Sequence, residues 1–271
     1  MSLRRRLPTA VILLVLIGAV VQWAPPAVFF VLLQVFVVAA LLEFYGLARR
    51  RKVRVYRTAG IAVALLLELP WVIPDLMPDM ALFLGLLGLG MAYLFGVRSV
   101  EDVVGFPSAI ALTFFGAVFI GFTMGYVYGL RADFGPPALY FFLSVIIVGD
   151  SGAMLFGKLL GRRKMAPWAS PNKTWEGALG GLLASAAAAA GAGALFFNGK
   201  LDPAHLLGGV LLGIVSQASD PVESLFKRAA GVKDSSNLLP GHGGFLDRMD
   251  SYLLAAPFFY YYLLWWAGGR L

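Results

Sequence analysis

Nine stretches of this chain are apolar over about the 20 residues that a helix needs to cross a hydrocarbon core of ~30 Å. They fall near 7–24, 25–48, 55–73, 76–96, 104–130, 136–158, 175–198, 203–228 and 247–268. Hydrophobic residues make up 59% of the chain and charged ones 14%, a balance that a soluble domain of this size cannot hide from water. The expected fold is therefore all-α and polytopic, one integral membrane domain over 1–271 with about nine transmembrane helices. Only Pro25-Pro26 separates the first two runs, and such a dipeptide ends one helix and starts the next. Arg4-Arg5-Arg6 precede the first run as they would in a signal peptide. No small-residue cleavage site follows, so the run is expected to be a span.

Cations set the orientation. With the N-terminus in the cytoplasm, the inner segments hold Arg4–Arg6, the cluster from Arg49 to Arg57, Arg98, the loop from Lys158 to Lys173, and the stretch from Lys227 to Arg248. These contain 19 of the 22 Lys and Arg residues, leaving Arg131, Lys200 and Arg270 outside, as the positive-inside rule requires. The net charge of +7 then implies anionic lipid heads and phosphate-bearing substrates at the cytoplasmic face, not nucleic acid. The chain has no cysteine, which excludes disulfides, thiolate chemistry and cysteine-bound zinc. Small residues in the tract from Ala184 to Ala194 suit close helix packing. Glu68, alone in the third run, is expected to pack structurally; snorkelling or a subunit contact are the alternatives.

Between Ser216 and Asp250 the hydrocarbon gives way to nine charged side chains and a glycine-rich turn. At 100° per residue, Ser216, Asp220, Glu223, Ser224 and Lys227 fall within an arc of ~100° on one helix face. Asp220 lies about 10 Å below the cationic helix end, and Asp150 lies ~12 Å below Lys158, so two carboxylates stand at matched depth. Buried anions need cations beside them, and Lys227 or a metal can serve. Asp247 and Asp250 follow the GHGG turn at i and i+3 on one face. Oxygen ligands from separate helices suit magnesium shared between carboxylates and phosphates. The backbone amides of the GHGG turn at 241–244, Gly243 among them, can approach a phosphate. His242 is either a phosphate contact, an acid-base group or a structural loop residue. A structural ion-pair network is the alternative reading of Asp220, Glu223 and Lys227.

The inner loop from Gly157 to Gly177 carries Lys158, Arg162, Arg163, Lys164 and Lys173. Ser170 followed by Pro171 is expected to cap a helix and aim its amides at an anion. Asn172 and Lys173 complete this second candidate binding segment, whereas Arg162–Lys164 read equally well as membrane-surface charge.

The order Ser216, Asp220, Glu223-Ser224, Lys227-Arg228, Gly231, Lys233-Asp234, Pro240 to Gly244, Asp247-Arg248 and Asp250 resembles the terminal motif of the phosphatidate cytidylyltransferases, or CDP-diacylglycerol synthases. Ser170, Pro171, Lys173, Thr174, Glu176 and Gly177 resemble a second element of that family, and Glu43-Phe44-Tyr45 a third. Ser219 and Pro221 depart from the family's glycine and leucine, and Pro221 is expected to kink the helix beside Asp220. The resemblance implies CTP and phosphatidate as substrates, membrane lipids as surroundings, a homodimer, and the bacterial cytoplasmic membrane with the site facing the cytoplasm. It implies Mg²⁺, with room for a second cation, on Asp220, Asp247 and Asp250, and on Asp150 with least support. Asp220, Lys227, Asp247 and Asp250 would be catalytic; Ser170, Asn172, Lys173, Ser216, Glu223, Ser224, Arg228, His242, Gly243 and Arg248 would bind substrate. Residues 1–130 would be scaffold with a subunit contact, and 136–271 the catalytic part. A CTP-dependent lipid or polyprenol kinase and a secondary transporter are the competing functions.

Overall fold

The computed structural model describes residues 15–197, 203–236, 238 and 243–268, and for 267 and 268 the backbone alone. Helix α1 is described over 15–23. It is followed by α2 (Pro26–Arg50), α3 (Arg57–Glu68) with a 3₁₀ turn at Leu69–Trp71, α4 (Pro78–Gly96), α5 (Val100–Gly116), a π-helical stretch at Ala117–Phe122, and α6 (Thr123–Leu160). Strands β1 (Lys164–Ala166) and β2 (Ser170–Thr174) form a hairpin, and α7 (Trp175–Phe196), α8 (Pro203–Ala229), α9 (Leu246–Leu253) and α10 (Ala255–Gly268) complete the chain.

The all-α membrane class holds. Four of the described segments are long and apolar enough to cross a membrane: Pro26–Arg50, Pro78–Gly96, Val100–Leu160 and Trp175–Phe196. The third spans 61 residues and contains two of the expected runs. They part at Gly135, whose φ of 81° lies where a Cβ is disfavoured, and Pro136-Pro137 then open the second half. Helix α8 has the length, 27 residues, but its polar face keeps it out of the purely apolar set. The run expected at 247–268 is two helices parting at Leu254. Pro257 has no N–H and crowds the carbonyl of Leu253, four residues back.

Glycine and alanine draw α6, α7 and α8 together as the small-residue tract suggests. A Cβ on Gly152 would stand 2.4 Å from that of Ala184, and one on Gly209 2.1 Å from that of Ala189. In the N-terminal half Tyr45 donates to the Thr113 carbonyl (2.8 Å), and the Tyr93 hydroxyl meets Thr113 Oγ1 at 2.7 Å. Arg131 donates to the carbonyls of Val21 (2.7 Å) and Ala24 (2.5 Å), satisfying the open end of α1. Glu68 is wholly buried and accepts from Gln34 Nε2 at 2.6 Å. It is a packing residue; a snorkelling carboxylate would reach the surface.

Among the described residues the hairpin is the one pair of strands in the chain. Its register pairs Lys164 with Thr174 and Ala166 with Ser170, so Ser170 does not cap a helix. The cap is Thr174, whose hydroxyl accepts from the Gly177 N–H at 3.1 Å. Glu176, in the first turn of α7, accepts from the N–H groups of Arg162 (2.9 Å) and Arg163 (3.2 Å) and closes the base of the hairpin.

Candidate active site

A cavity of about 880 Å³ lies where the C-terminal halves of α6 and α8 meet the hairpin, the start of α7 and α9. Asp150 reaches it from α6, Asp220 from α8, and Asp247 and Asp250 from α9; Lys158, Lys164, Lys173 and Arg248 bring the cations. The polar ladder of α8 faces inward as its spacing predicts, with Ser216, Glu223, Ser224 and Lys227 all buried. It forms two connected layers.

In the layer open to the cavity, Lys173 Nζ lies 2.9 Å from Asp220 Oδ2 and also meets the Gln217 carbonyl at 3.4 Å. Both side chains keep about a quarter of their surface, 26% and 27%, so a ligand can reach them. Ser224 donates to Asp220 Oδ1 at 3.2 Å. Ser251 joins the other two carboxylates, donating to Asp150 Oδ2 at 2.9 Å and lying 3.4 Å from Asp250 Oδ1, which also accepts the Ser251 N–H at 2.7 Å.

In the layer beneath, Lys227 Nζ is 2.6 Å from Glu223 Oε2 and 2.7 Å from Asp247 Oδ1, and all three side chains are less than a tenth exposed. Asp247 also accepts the Ser235 N–H (2.9 Å), the Ser235 hydroxyl (2.8 Å) and the Gly244 N–H (2.8 Å). That set occupies both of its oxygens. Two anions on one lysine leave the layer short of positive charge, and the donated amides make up the difference.

Asp220 and Lys227 thus have different partners, Asp220 pairing with Lys173 and Lys227 with Glu223 and Asp247. Among the described residues, no three acidic or histidine side chains form a ready metal cluster. Asp247, expected as a ligand with Asp220 and Asp250, has both oxygens engaged by Lys227, Ser235 and the Gly244 N–H. Asp150, Asp220 and Asp250 share the cavity with oxygens of the hard type that magnesium takes, and magnesium asks only one or two carboxylates when phosphates and water supply the rest. The donor set fits a metal shared with a substrate and does not fit one caged by protein alone.

Of the residues expected to bind substrate, Asn172, Lys173 and Arg248 line the cavity, while Ser170, Ser216, Glu223, Ser224, Arg228 and Gly243 do not. Arg228 donates to the carbonyls of Ala169 and Val232, both at 3.1 Å, and thereby clamps the hairpin to the end of α8. The Gly244 N–H, offered above to a phosphate as part of the GHGG turn, serves Asp247 instead. His242 lies outside the described residues. Pro221 leaves α8 unbroken. Its neighbour Ser219 acts on another helix, donating to the Asp250 carbonyl and accepting the Leu254 N–H at 3.3 Å. The hydroxyl thus sits between the two groups that would bond each other if α9 continued into α10. Gln217, Ser235 and Ser251 escape a reading by charge because each is neutral.

A polytopic helical protein with a cavity walled by carboxylates, lysines and an arginine is the class that fold and site define. This chain belongs to the cytidylyltransferase family, whose model matches residues 4–266. It is 44% identical over 140 residues to a phosphatidate cytidylyltransferase of Staphylococcus haemolyticus, covering 51% of this chain and 53% of that one. It is 43% identical over 124 residues to that of Haemophilus influenzae, 44% of this chain and 43% of the other. With the enzyme of Helicobacter pylori the identity is 41% over 133 residues, 48% of each. The chain thus spans about half the length of the curated relatives it matches.

Proposed function

We propose that this protein transfers the cytidylyl group of CTP to phosphatidate, forming CDP-diacylglycerol and pyrophosphate for phospholipid synthesis. One observation carries the reading: four carboxylates and four cations face a single cavity at one end of a helical membrane domain. A lipid phosphate and a water-soluble nucleotide can meet only at such a depth. The family and the names of the relatives support the same substrates.

The proposed orientation places the N-terminus and the cavity on the cytoplasmic side of a bacterial inner membrane, with nine crossings, a scaffold half and a catalytic half, and a homodimeric assembly. The distribution of Lys and Arg supports it. In the reaction an oxygen of the phosphatidate phosphate forms a bond to the α-phosphorus of CTP as the bond to the pyrophosphate oxygen breaks. Lys173 and Arg248, with Lys158 and Lys164 at the rim, hold the triphosphate and meet the negative charge that develops on the leaving group. Lys227 fixes Asp247, and Ser251 orients Asp150 and Asp250. Asp220 and Asp250, with Asp150 beside them, would hold magnesium, which would supply further charge neutralisation at the same phosphates.

Purified protein given CTP and phosphatidate tests this directly. Lipid-linked cytidylate is expected with Mg²⁺ and none after chelation; no lipid-linked cytidylate under either condition would overturn the proposal.

A further inference from the structure

Glu43 stands in the C-terminal half of α2, within an apolar run, and is 5% exposed. A carboxylate there requires donors, and all four come from the far end of the chain. Its Oε1 accepts from the Ser236 hydroxyl (2.6 Å) and the Phe245 N–H (3.1 Å). Its Oε2 accepts from the Ser235 hydroxyl (2.8 Å) and the Leu246 N–H (2.9 Å). Phe245 and Leu246 open α9, so the carboxylate meets two amides that the helix cannot satisfy and sits at its positive end. The Ser235 hydroxyl lies 2.8 Å from Asp247 Oδ2 as well, so its single proton is shared between the two carboxylates.

Gly244 shows how tightly this junction is built. A Cβ there would stand 2.1 Å from Ser235 Oγ and 2.3 Å from Glu43 Oε2, so the backbone at 244 is pressed against the carboxylate with no room for a side chain. Glu43 does not line the cavity. Its reach is indirect: it holds Ser235 and the first turn of α9, these hold Asp247, and Asp247 holds Lys227.

We propose that Glu43 is a positioning residue for the site, a carboxylate from the N-terminal half that fixes α9 and thereby Asp247 and Lys227. The inference rests on the cavity being the seat of cytidylyl transfer. A simple staple between the two halves would affect stability alone, whereas a positioning residue affects turnover in the folded protein.

The test compares wild type, Glu43→Gln, Glu43→Asp and Ser235→Ala as full-length protein in detergent, normalised to folded protein by size exclusion. Gln keeps the shape but turns an NH₂ toward buried donors. We expect Glu43→Gln to lower kcat by about 10- to 100-fold, as small misplacements of reacting groups do, with the KM for CTP changed less than about 3-fold. Glu43→Asp should recover part of kcat. Ser235→Ala, which removes only a hydroxyl, should lower kcat in the same sense, and it decides the matter if Glu43→Gln does not fold. Normal kcat per folded molecule in Glu43→Gln, or in Ser235→Ala where the former is insoluble, would overturn the inference while leaving the function intact. An inactive wild type would overturn both.

Discussion

Lys173 and Lys227 both pair with carboxylates of the site, and their surroundings give them different work. Lys173 is a quarter exposed and shares the cavity with Asp220; an ion pair that open contributes little to stability. Lys173→Ala is therefore expected to lower kcat/KM by about 100-fold or more, as loss of a preorganised charge does, with little change in melting temperature. Arg163→Ala, on an exposed side chain that does not line the cavity, should stay within about 3-fold of wild type. Equal losses in the two would place the boundary of the site wrongly. Lys227 is the reverse case. Its removal leaves Glu223 and Asp247 buried without their cation, so Lys227→Ala should cost about 3–5 kcal/mol, read as a large drop in thermal stability in detergent. A melting temperature unchanged from wild type would contradict the buried layer.

At the scale of elements, the junction of α9 with α10 depends on a side chain from α8. Ser219 bridges the Asp250 carbonyl and the Leu254 N–H, so Ser219→Ala leaves two buried backbone groups to find each other or remain open. The expected cost is about 1–3 kcal/mol, with faster hydrogen exchange at the Leu254 amide. Unchanged exchange there would show that α9 and α10 hold their geometry without Ser219. This junction also marks how far the sequence could be read. Apolar runs and the ladder of α8 were legible because period and charge report burial directly. The break at Leu254 was not: Pro257 stood in the expected run, but the Ser219 hydroxyl that bridges the gap comes from another helix. The hairpin was missed for a similar reason: Ser170-Pro171 has the local chemistry of a helix start, and pairing with Lys164–Ala166 overrides it. Glu43 entered only through the resemblance of Glu43-Phe44-Tyr45 to a family element, and nothing local to it could show that its donors lie some 200 residues away.

At the scale of the whole molecule, the proposed function assigns holding to one half of the chain and reaction to the other. Helices α6 to α9 wall the cavity, while α2 reaches across to brace α9 through Glu43. Because the chain has no native cysteine, its proposed orientation can be tested with single substitutions. Trp168→Cys, at the exposed tip of the hairpin, should react with a membrane-impermeant maleimide only when the cytoplasmic face is open. Asp75→Cys, between α3 and α4, should react from the opposite side; the reverse pattern would invert the topology.

The central claim is that the nucleotide and not a terminal phosphate passes to the lipid within this cavity. CTP labelled separately at the α- and γ-phosphates, incubated with phosphatidate and purified protein, tests it most directly, with Asp250→Asn as the control that removes a cavity carboxylate. The account predicts α-label in the lipid, γ-label in pyrophosphate, and loss of both transfers in Asp250→Asn. Label from the γ-phosphate in the lipid, or full α-transfer by Asp250→Asn, would contradict it.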